Sequence, residues 1–244
     1  MRPGFSFWGL RACEYTARVE LDPAKMAPAD RYKVLIGSIV PRPIAFVSSQ
    51  SADGRLNLAP FSFFNGIASS PMSLLFCPAN KADGSEKDTL RNVAPKAEGG
   101  VGEFVVNIVS ESFERQMAAC AEPMDYGESE FELSGLTPAP SARVRPPRVA
   151  ESLVSFECRT MRVIRLAPGA PAGGNVVIGE VVFIRASASV MNERHHVDPD
   201  VLKAIGRMGG LGYCRTSDPK NRFEMPMGRG ALEGGSRGVQ QPPK

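Results

Sequence analysis

The chain has 244 residues, 43% of them hydrophobic, enough for one large domain with a sizeable core. Its 29 basic and 26 acidic residues leave a net charge of only +3, which argues against a nucleic-acid binder, and no run approaches the ~18 apolar residues of a membrane-spanning helix. Five separated cysteines with no C-x-x-C pair, and two histidines that are neighbours in a polar run (His195, His196), point to reduced thiols in a cytoplasmic protein and away from a zinc site.

Residues 1–29 read as a loosely ordered extension, since MRPGFSFWGLRACEYTAR is followed by no long apolar stretch. From 30 to 227, strand signals outnumber helix signals, and this span reads as one domain. Residues 42–49, RPIAFVSS, carry aromatic and branched residues with alternation, and Asp53-Gly54 turns that strand back into 56–62. In the returning strand Pro60 breaks the ladder, Ser62 sits among Phe61, Phe63 and Phe64, and Asn65-Gly66 reads as a turn. A hydroxyl inside an aromatic cluster has no core purpose, so Ser62 is a candidate binding residue. Residues 71–77 and 103–109 are short apolar strands. Residues 153–166 and 175–188 are long strands, joined by APGAPAGG into an antiparallel hairpin.

Two segments have helical spacing. Residues 86–94, EKDTLRNVA, place Asp88 or Thr89 at the cap. Residues 111–121 put Phe113, Met117 and Cys120 on one face, with Ser110 or Ser112 as the cap. RVRPPR at 143–148 is the only dense basic cluster, and its prolines suggest an exposed loop. Residues 228–244, rich in Gly, Pro and Gln, read as a disordered tail. Six or more strands with a couple of flanking helices give a mainly β chain, a closed or nearly closed antiparallel barrel of Greek-key type.

There is no P-loop, HExxH or nucleophile elbow. The glycine cluster GRMGGLG at 206–212 has no strand running directly into it and no helix after it, so it fails the context of a dinucleotide fingerprint. What remains is an anion-shaped group, EKDTLRN, with Lys87, Asp88 and Thr89 at a helix start, where free N–H groups carry partial positive charge. An ordinary helix start with solvated charges explains the same residues. Asn107 in EFVVNI reads as a structural sheet residue.

Taken together and in order, YKVLIGSIVPRPIAFVSS, DGRLNLAPFSFFNG, SSPMSLLF, KDTLRN, EFVVNI and GRMGGLGYCRT resemble the flavin reductase-like family, which has an FMN-binding split-barrel fold. The resemblance implies that Ser62, Lys87, Asp88 (through its backbone N–H) and Thr89 cradle the FMN phosphate. It implies Ala45, Phe46, Val47, Ser48 and Ser49 beside the ring and ribityl chain, with Asn57, Ala59 and Phe61 facing them and Asn65 as a further polar contact. Arg207 and Tyr213, in the glycine-rich segment, would approach the flavin, often from the neighbouring subunit of a homodimer. The implied activity is hydride transfer from NADH or NADPH to bound FMN, with a partner oxygenase or redox protein taking the electrons. A flavoredoxin-like FMN electron carrier without rapid NAD(P)H turnover is the alternative, and a flavin-fold protein with another ligand or none is a third.

Overall fold

The strand expected at 42–49 forms as β1 (Ala45–Gln50) and turns through Asp53-Gly54 into β2 (Leu56–Phe61). Gly54 adopts φ +96°, and its N–H donates to the Ser51 carbonyl at 3.0 Å, closing the turn. This computed structural model describes residues 18–122, 124, 128–224 and 237–238. The remaining elements are α1 (Pro28–Ser38), β3 (Phe64–Ser69), β4 (Met72–Phe76), α2 (Asp88–Val93), β5 (Glu103–Ile108), α3 (Glu114–Ala119), α4 (Glu130–Ser134), β6 (Pro138–Ala139), β7 (Arg148–Val149), β8 (Val154–Arg165), β9 (Asn175–Ala186), α5 (Pro199–Leu202), β10 (Ile205–Arg207), β11 (Tyr213–Arg215), β12 (Phe223–Glu224) and β13 (Arg237–Gly238).

Seven strands form one antiparallel sheet in the order β2-β1-β5-β8-β9-β4-β3. Its two outer strands, β2 and β3, are separated in sequence only by Ser62 and Phe63. Three Cα steps reach at most roughly 11 Å. The sheet therefore curls until its edges approach at Ser62-Phe63, yet no ladder joins β2 to β3. This is the expected split barrel.

Pro60 is explained by its place on an edge. The Leu58 N–H points away from β1 and donates to Glu130 Oε2 at 2.8 Å. Pro60, next on the same side of the strand, has no N–H to leave exposed.

Both faces of β1 are covered, so its first three residues are apolar and Ser48 and Ser49 are buried with their hydroxyls bonded. Ala45 and Val47 join Phe61, Phe76, Phe104 and Val106 in the barrel interior, where Leu90 and Val93 of α2 also pack. Phe46, with Leu58, packs outside the barrel against Phe113, Met117 and Phe131 of the α3–α4 layer.

Several expectations need correction. Asn65-Gly66 lies inside β3, and the reversal falls at Ser70-Pro71, because Phe64–Ser69 has Met72–Phe76 to pair with and a bulge between Gly66 and Ala68 absorbs the irregularity. Neither Asp88 nor Thr89 caps α2. Lys87 holds the cap position and makes no side-chain cap bond. Ser110 heads a 3-10 turn, Glu111–Phe113, that runs into α3, and its Oγ lies 2.8 Å from Ser112 Oγ instead of capping a helix N–H. The 143–148 loop is only half exposed, since Val144 and Pro146 are buried while Arg143 and Arg145 face solvent. The Glu157 carboxylate pins that loop by accepting from Ala142 N and Arg143 N.

α1, α4 and α5 went unforeseen. The proline at the first position of α1 and Asp30 in its first turn were the available signals. α1 also starts at Pro28, inside the segment expected as an extension. Residues 1–17 lie outside the described residues. So does the 228–244 tail, except Arg237–Gly238, which pair with Phe223–Glu224. No helix among the described residues is long and apolar enough to cross a membrane.

Candidate functional site

At one end of the barrel, α2 meets β1 and β2 through a buried polar network. Asn57 Nδ2 donates to Thr89 Oγ1 at 2.9 Å and to Ser49 Oγ at 3.3 Å, and Asn92 Nδ2 donates to Ser49 Oγ at 3.1 Å. All four residues are buried, so these bonds are made in low dielectric and fix where α2 starts. Thr89 therefore holds Asn57 with its hydroxyl and does not present it to solvent.

Lys87 stands at the mouth of this network. Desolvation by the surrounding protein, with the nearby Lys81 charge, pulls its pKa below the ordinary lysine value, while Glu130 acts in the opposite sense. The Asp88 carboxylate turns away from the helix start, pairing with Arg91 and, at 3.6 Å, with Lys81. Two lysines repelling each other at one site make a donor set suited to an anion.

Ser62 is at the opposite end of β2. It lies five residues beyond Asn57, roughly 16 Å along an extended strand at ~3.3 Å per residue. No hydrogen bond among the described residues links Ser62 to Lys87 or Thr89. Ser62 Oγ instead accepts from Arg42 Nε at 3.3 Å. Arg42 Nη1 donates to the Ile36 and Ile39 carbonyls at 2.6 and 2.9 Å, and Nη2 to the Met208 carbonyl at 3.0 Å. The guanidinium also lies 5.8 Å from the Phe63 ring centre.

The glycine-rich segment is a hairpin of β10 and β11. Its turn places Leu211, 90% exposed, at the tip. Arg207 and Tyr213 are cross-strand partners, with the guanidinium 4.4 Å from the Tyr213 ring centre, a cation–π contact. Arg207 N–H and C=O both pair with Arg42, which ties the hairpin to the Ser62 end.

A flavin reductase-like domain model matches residues 36–202. The chain belongs to the flavin reductase-like family. An uncharacterised protein of Aquifex aeolicus is 38% identical over 184 residues, 75% of this chain and 89% of that protein. Among solved structures, nitrilotriacetate monooxygenase component B from Bacillus cereus is 34% identical with a TM-score of 0.78, covering 86% of this chain and 100% of that one. The 2-nitrobenzoate 2-nitroreductase of Pseudomonas fluorescens is 28% identical with a TM-score of 0.74, covering 86% and 97%.

In this flavin reductase-like chain, several residues expected beside the ring are buried in the sheet. Ala45, Phe46, Val47 and Ser48 have no exposed surface, and β2 and β5 flank their backbone on both sides. Ser48 faces the outer layer, donating to the Pro147 carbonyl and accepting from Asn107 Nδ2 at 3.2 Å. Ser49, Asn57 and Phe61 are buried too. The candidates with accessible surface are Ala59, Ser62, Asn65, Lys87, Asp88, Arg207 and Tyr213.

Sequence reasoning passed over Arg42 and Glu130. Arg42 was hidden in RPIAFVSS as a strand-flanking arginine, although a basic residue before a core strand was a signal. Glu130 lies in a helix of five residues. It is buried, which raises its carboxyl pKa; the Leu58 N–H bond lowers it, as does Lys87, and Asp88 raises it. Because the folded pKa is raised, stability is fullest below the unfolded value, ~4.3, and falls as pH climbs through the folded value. Glu130→Gln keeps an acceptor for Leu58 without a buried charge. It is expected to melt higher than the parent at neutral pH, with the gap closing on acidification. Melting temperatures measured from about pH 4 to 8 check this, and a gap that does not change with pH overturns it.

The two histidines sit exposed in the 192–196 turn. Among the described residues, no three His, Cys, Asp or Glu side chains converge as a metal site. Burial pushes the Cys120 thiol up to about 11 and Cys77 upward, so neither is a thiolate at neutral pH.

Proposed function

We propose that this protein binds FMN and reduces it with NADH or NADPH. The observation that carries the reading is the Lys81–Lys87 pair at the mouth of the α2 network, in a chain of the flavin reductase-like family. Lys87, helped by Lys81 and the Asp88 N–H, holds the phosphate. Asp88 keeps its carboxylate on Lys81 and Arg91, where it does not oppose the phosphate. Thr89, Asn57 and Ser49 hold the start of α2 in place. Ala59 and Asn65 contribute contacts along the edges of the split, and the stacked Arg207–Tyr213 pair receives the nicotinamide cofactor. Bound FMN supplies the hydride-accepting chemistry, so the protein needs only to bind, orient and exclude water.

The likeness to a monooxygenase component B supports a partner oxygenase as the destination of the electrons. We further infer a homodimer. An apolar groove of about 610 Å3 runs between β3–β4 and Ile108, Phe156 and Val181, with Ile67 and Met72 exposed along it, and a second copy would cover it.

The test is anaerobic titration of the FMN-loaded protein, its dimeric mass fixed by sedimentation, with NADH and then NADPH. Bleaching within seconds is the expected result. A flavin bleached only by a chemical reductant identifies an electron carrier instead, and a monomer removes the second copy. Lys87→Ala is expected to weaken FMN binding about tenfold or more, as loss of a charge-assisted phosphate contact. Lys96→Ala, on an exposed 3-10 turn, leaves it unchanged. Equal affinities for the two variants remove the phosphate assignment.

A further inference from the structure

Arg42 is 4% exposed, and among the described residues no carboxylate pairs with it. A buried guanidinium without an acid is costly unless its N–H groups are satisfied and some negative charge approaches. Part of that demand is met by the Ile36 and Ile39 carbonyls, at the C-terminal end of α1, where the helix dipole is negative. The rest is met by Ser62 and by Met208, so three segments distant in sequence converge on one side chain.

This arrangement fixes the direction of one proton. Arg42 Nε donates to Ser62 Oγ, so that oxygen is already an acceptor, and its own O–H is free to donate. No other bond of the Ser62 hydroxyl occurs among those of the described residues. Ser62 is partly exposed at the point where the barrel edges meet, beside Phe63, and shares Arg42 with the Met208 carbonyl. The site thus offers a polarised donor, a flanking aromatic and a positive charge behind them. It stands five residues along β2, roughly 16 Å, from Asn57, the residue that bonds Thr89 at the start of α2.

We infer that Arg42 is a positioning residue that aims the Ser62 hydroxyl at the acceptor edge of the flavin ring, leaving the phosphate to Lys87. The inference rests on the flavin reading above and divides the site into a ring end and a phosphate end. Arg42 acts through Ser62 and does not itself touch the ligand. Its bond to the Met208 carbonyl also sets the glycine-rich turn over the same end.

The experiment compares FMN with riboflavin, which lacks the phosphate, in equilibrium binding to the apoprotein by fluorescence quenching. Ser62→Ala is expected to weaken both ligands by the same factor, roughly tenfold for one hydrogen bond of about 1.4 kcal/mol. Lys87→Ala weakens FMN alone. In the Arg42→Met background, Ser62→Ala is expected to add little, because the hydroxyl is already unaligned. A merely structural role for Arg42 gives additive losses instead, and additivity overturns the inference. It is overturned equally if Ser62→Ala affects FMN but not riboflavin, which puts Ser62 at the phosphate, or if it affects neither. Should Arg42→Met fail to fold, Arg42→Lys serves in the cycle and Ser62→Ala alone still decides the ring-end placement. A parent protein that binds neither ligand overturns the flavin reading and this inference together, whereas tight parent binding with an unaltered Ser62→Ala sinks only the inference.

Discussion

Replacing Asn107 with leucine is expected to lower the unfolding free energy by roughly 3–5 kcal/mol, the range for breaking a buried polar network. Asn107 has no exposed surface, and every polar group it carries is used. Its Nδ2 donates to the Phe46 carbonyl at 3.1 Å and to Ser48 Oγ at 3.2 Å. Its Oδ1 accepts from Val149 N at 2.9 Å and from Ser155 Oγ at 3.0 Å. One side chain on β5 thereby links β1, β8 and the β7 segment laid across the outer face. Leucine has nearly the same volume, so the loss is not a cavity. It is the desolvation of partners left without a bond, above all the Val149 N–H, whose residue is itself fully buried. Asn107→Asp keeps the acceptor but sets a carboxylate oxygen against the Phe46 carbonyl in a fully buried site, and is expected to lose at least as much as leucine at neutral pH. Urea unfolding of the three proteins gives the order. A leucine variant within about 1 kcal/mol of the parent would show that the network does not hold the sheet. Flavin affinity of the folded variant is expected to stay close to the parent's, since Asn107 faces the outer layer and not the α2 end.

The same residue shows what was legible in the sequence. EFVVNI reads as a strand, and its asparagine reads as structural, because a polar residue in a short apolar run has to find partners inside. Most strands were legible for similar local reasons: Asp53-Gly54 announced the first hairpin, and the apolar length of 153–166 and 175–188 announced the long one. Which backbone groups stay accessible was not legible. RPIAFVSS looked like a wall for a flat ring because its residues suit one. Only the strand order shows that β2 and β5 both flank it, and strand order is a long-range property with no local signal. The distance between Ser62 and Asn57, which bonds Thr89 at the start of α2, was hidden for the same reason. Two motifs met in one list of polar residues, yet β2 runs its full length between them. Asn65-Gly66 misled because turn chemistry is permissive, and a paired partner strand overrides it. Arg42 was invisible as a hub because each carbonyl it binds belongs to a segment whose course had to be known first.

Gly84→Ala is expected to cost roughly 3 kcal/mol, the sum of backbone strain and overpacking. Gly84 is buried and adopts φ +85°, a region that an L side chain occupies only under strain. A Cβ there would lie 2.1 Å from the Gly169 carbonyl oxygen and 3.0 Å from its carbon, both backbone atoms with no rotamer to change. The neighbouring chain is also held firmly. Asn80 N donates to the Gly173 carbonyl at 2.9 Å, and Asn175 Nδ2 donates to Asn80 Oδ1 at 2.9 Å, locking the 78–85 loop to the connection between β8 and β9. Relief of the clash therefore has to come from the turn itself, where Gly84 N donates to the Lys81 carbonyl and Lys81 N to the Ser85 carbonyl. Moving that turn moves Lys81 and the approach to Lys87, so FMN affinity falls along with stability while riboflavin affinity holds. Gly99→Ala is the control. Gly99 has φ +86° but nothing within 4 Å of an added Cβ, so it carries the strain without the clash and is expected to cost about 1 kcal/mol. Thermal and urea unfolding of both variants isolate the contact. Equal losses would mean that the loop yields freely and that the far end of the long hairpin does not fix the anion site.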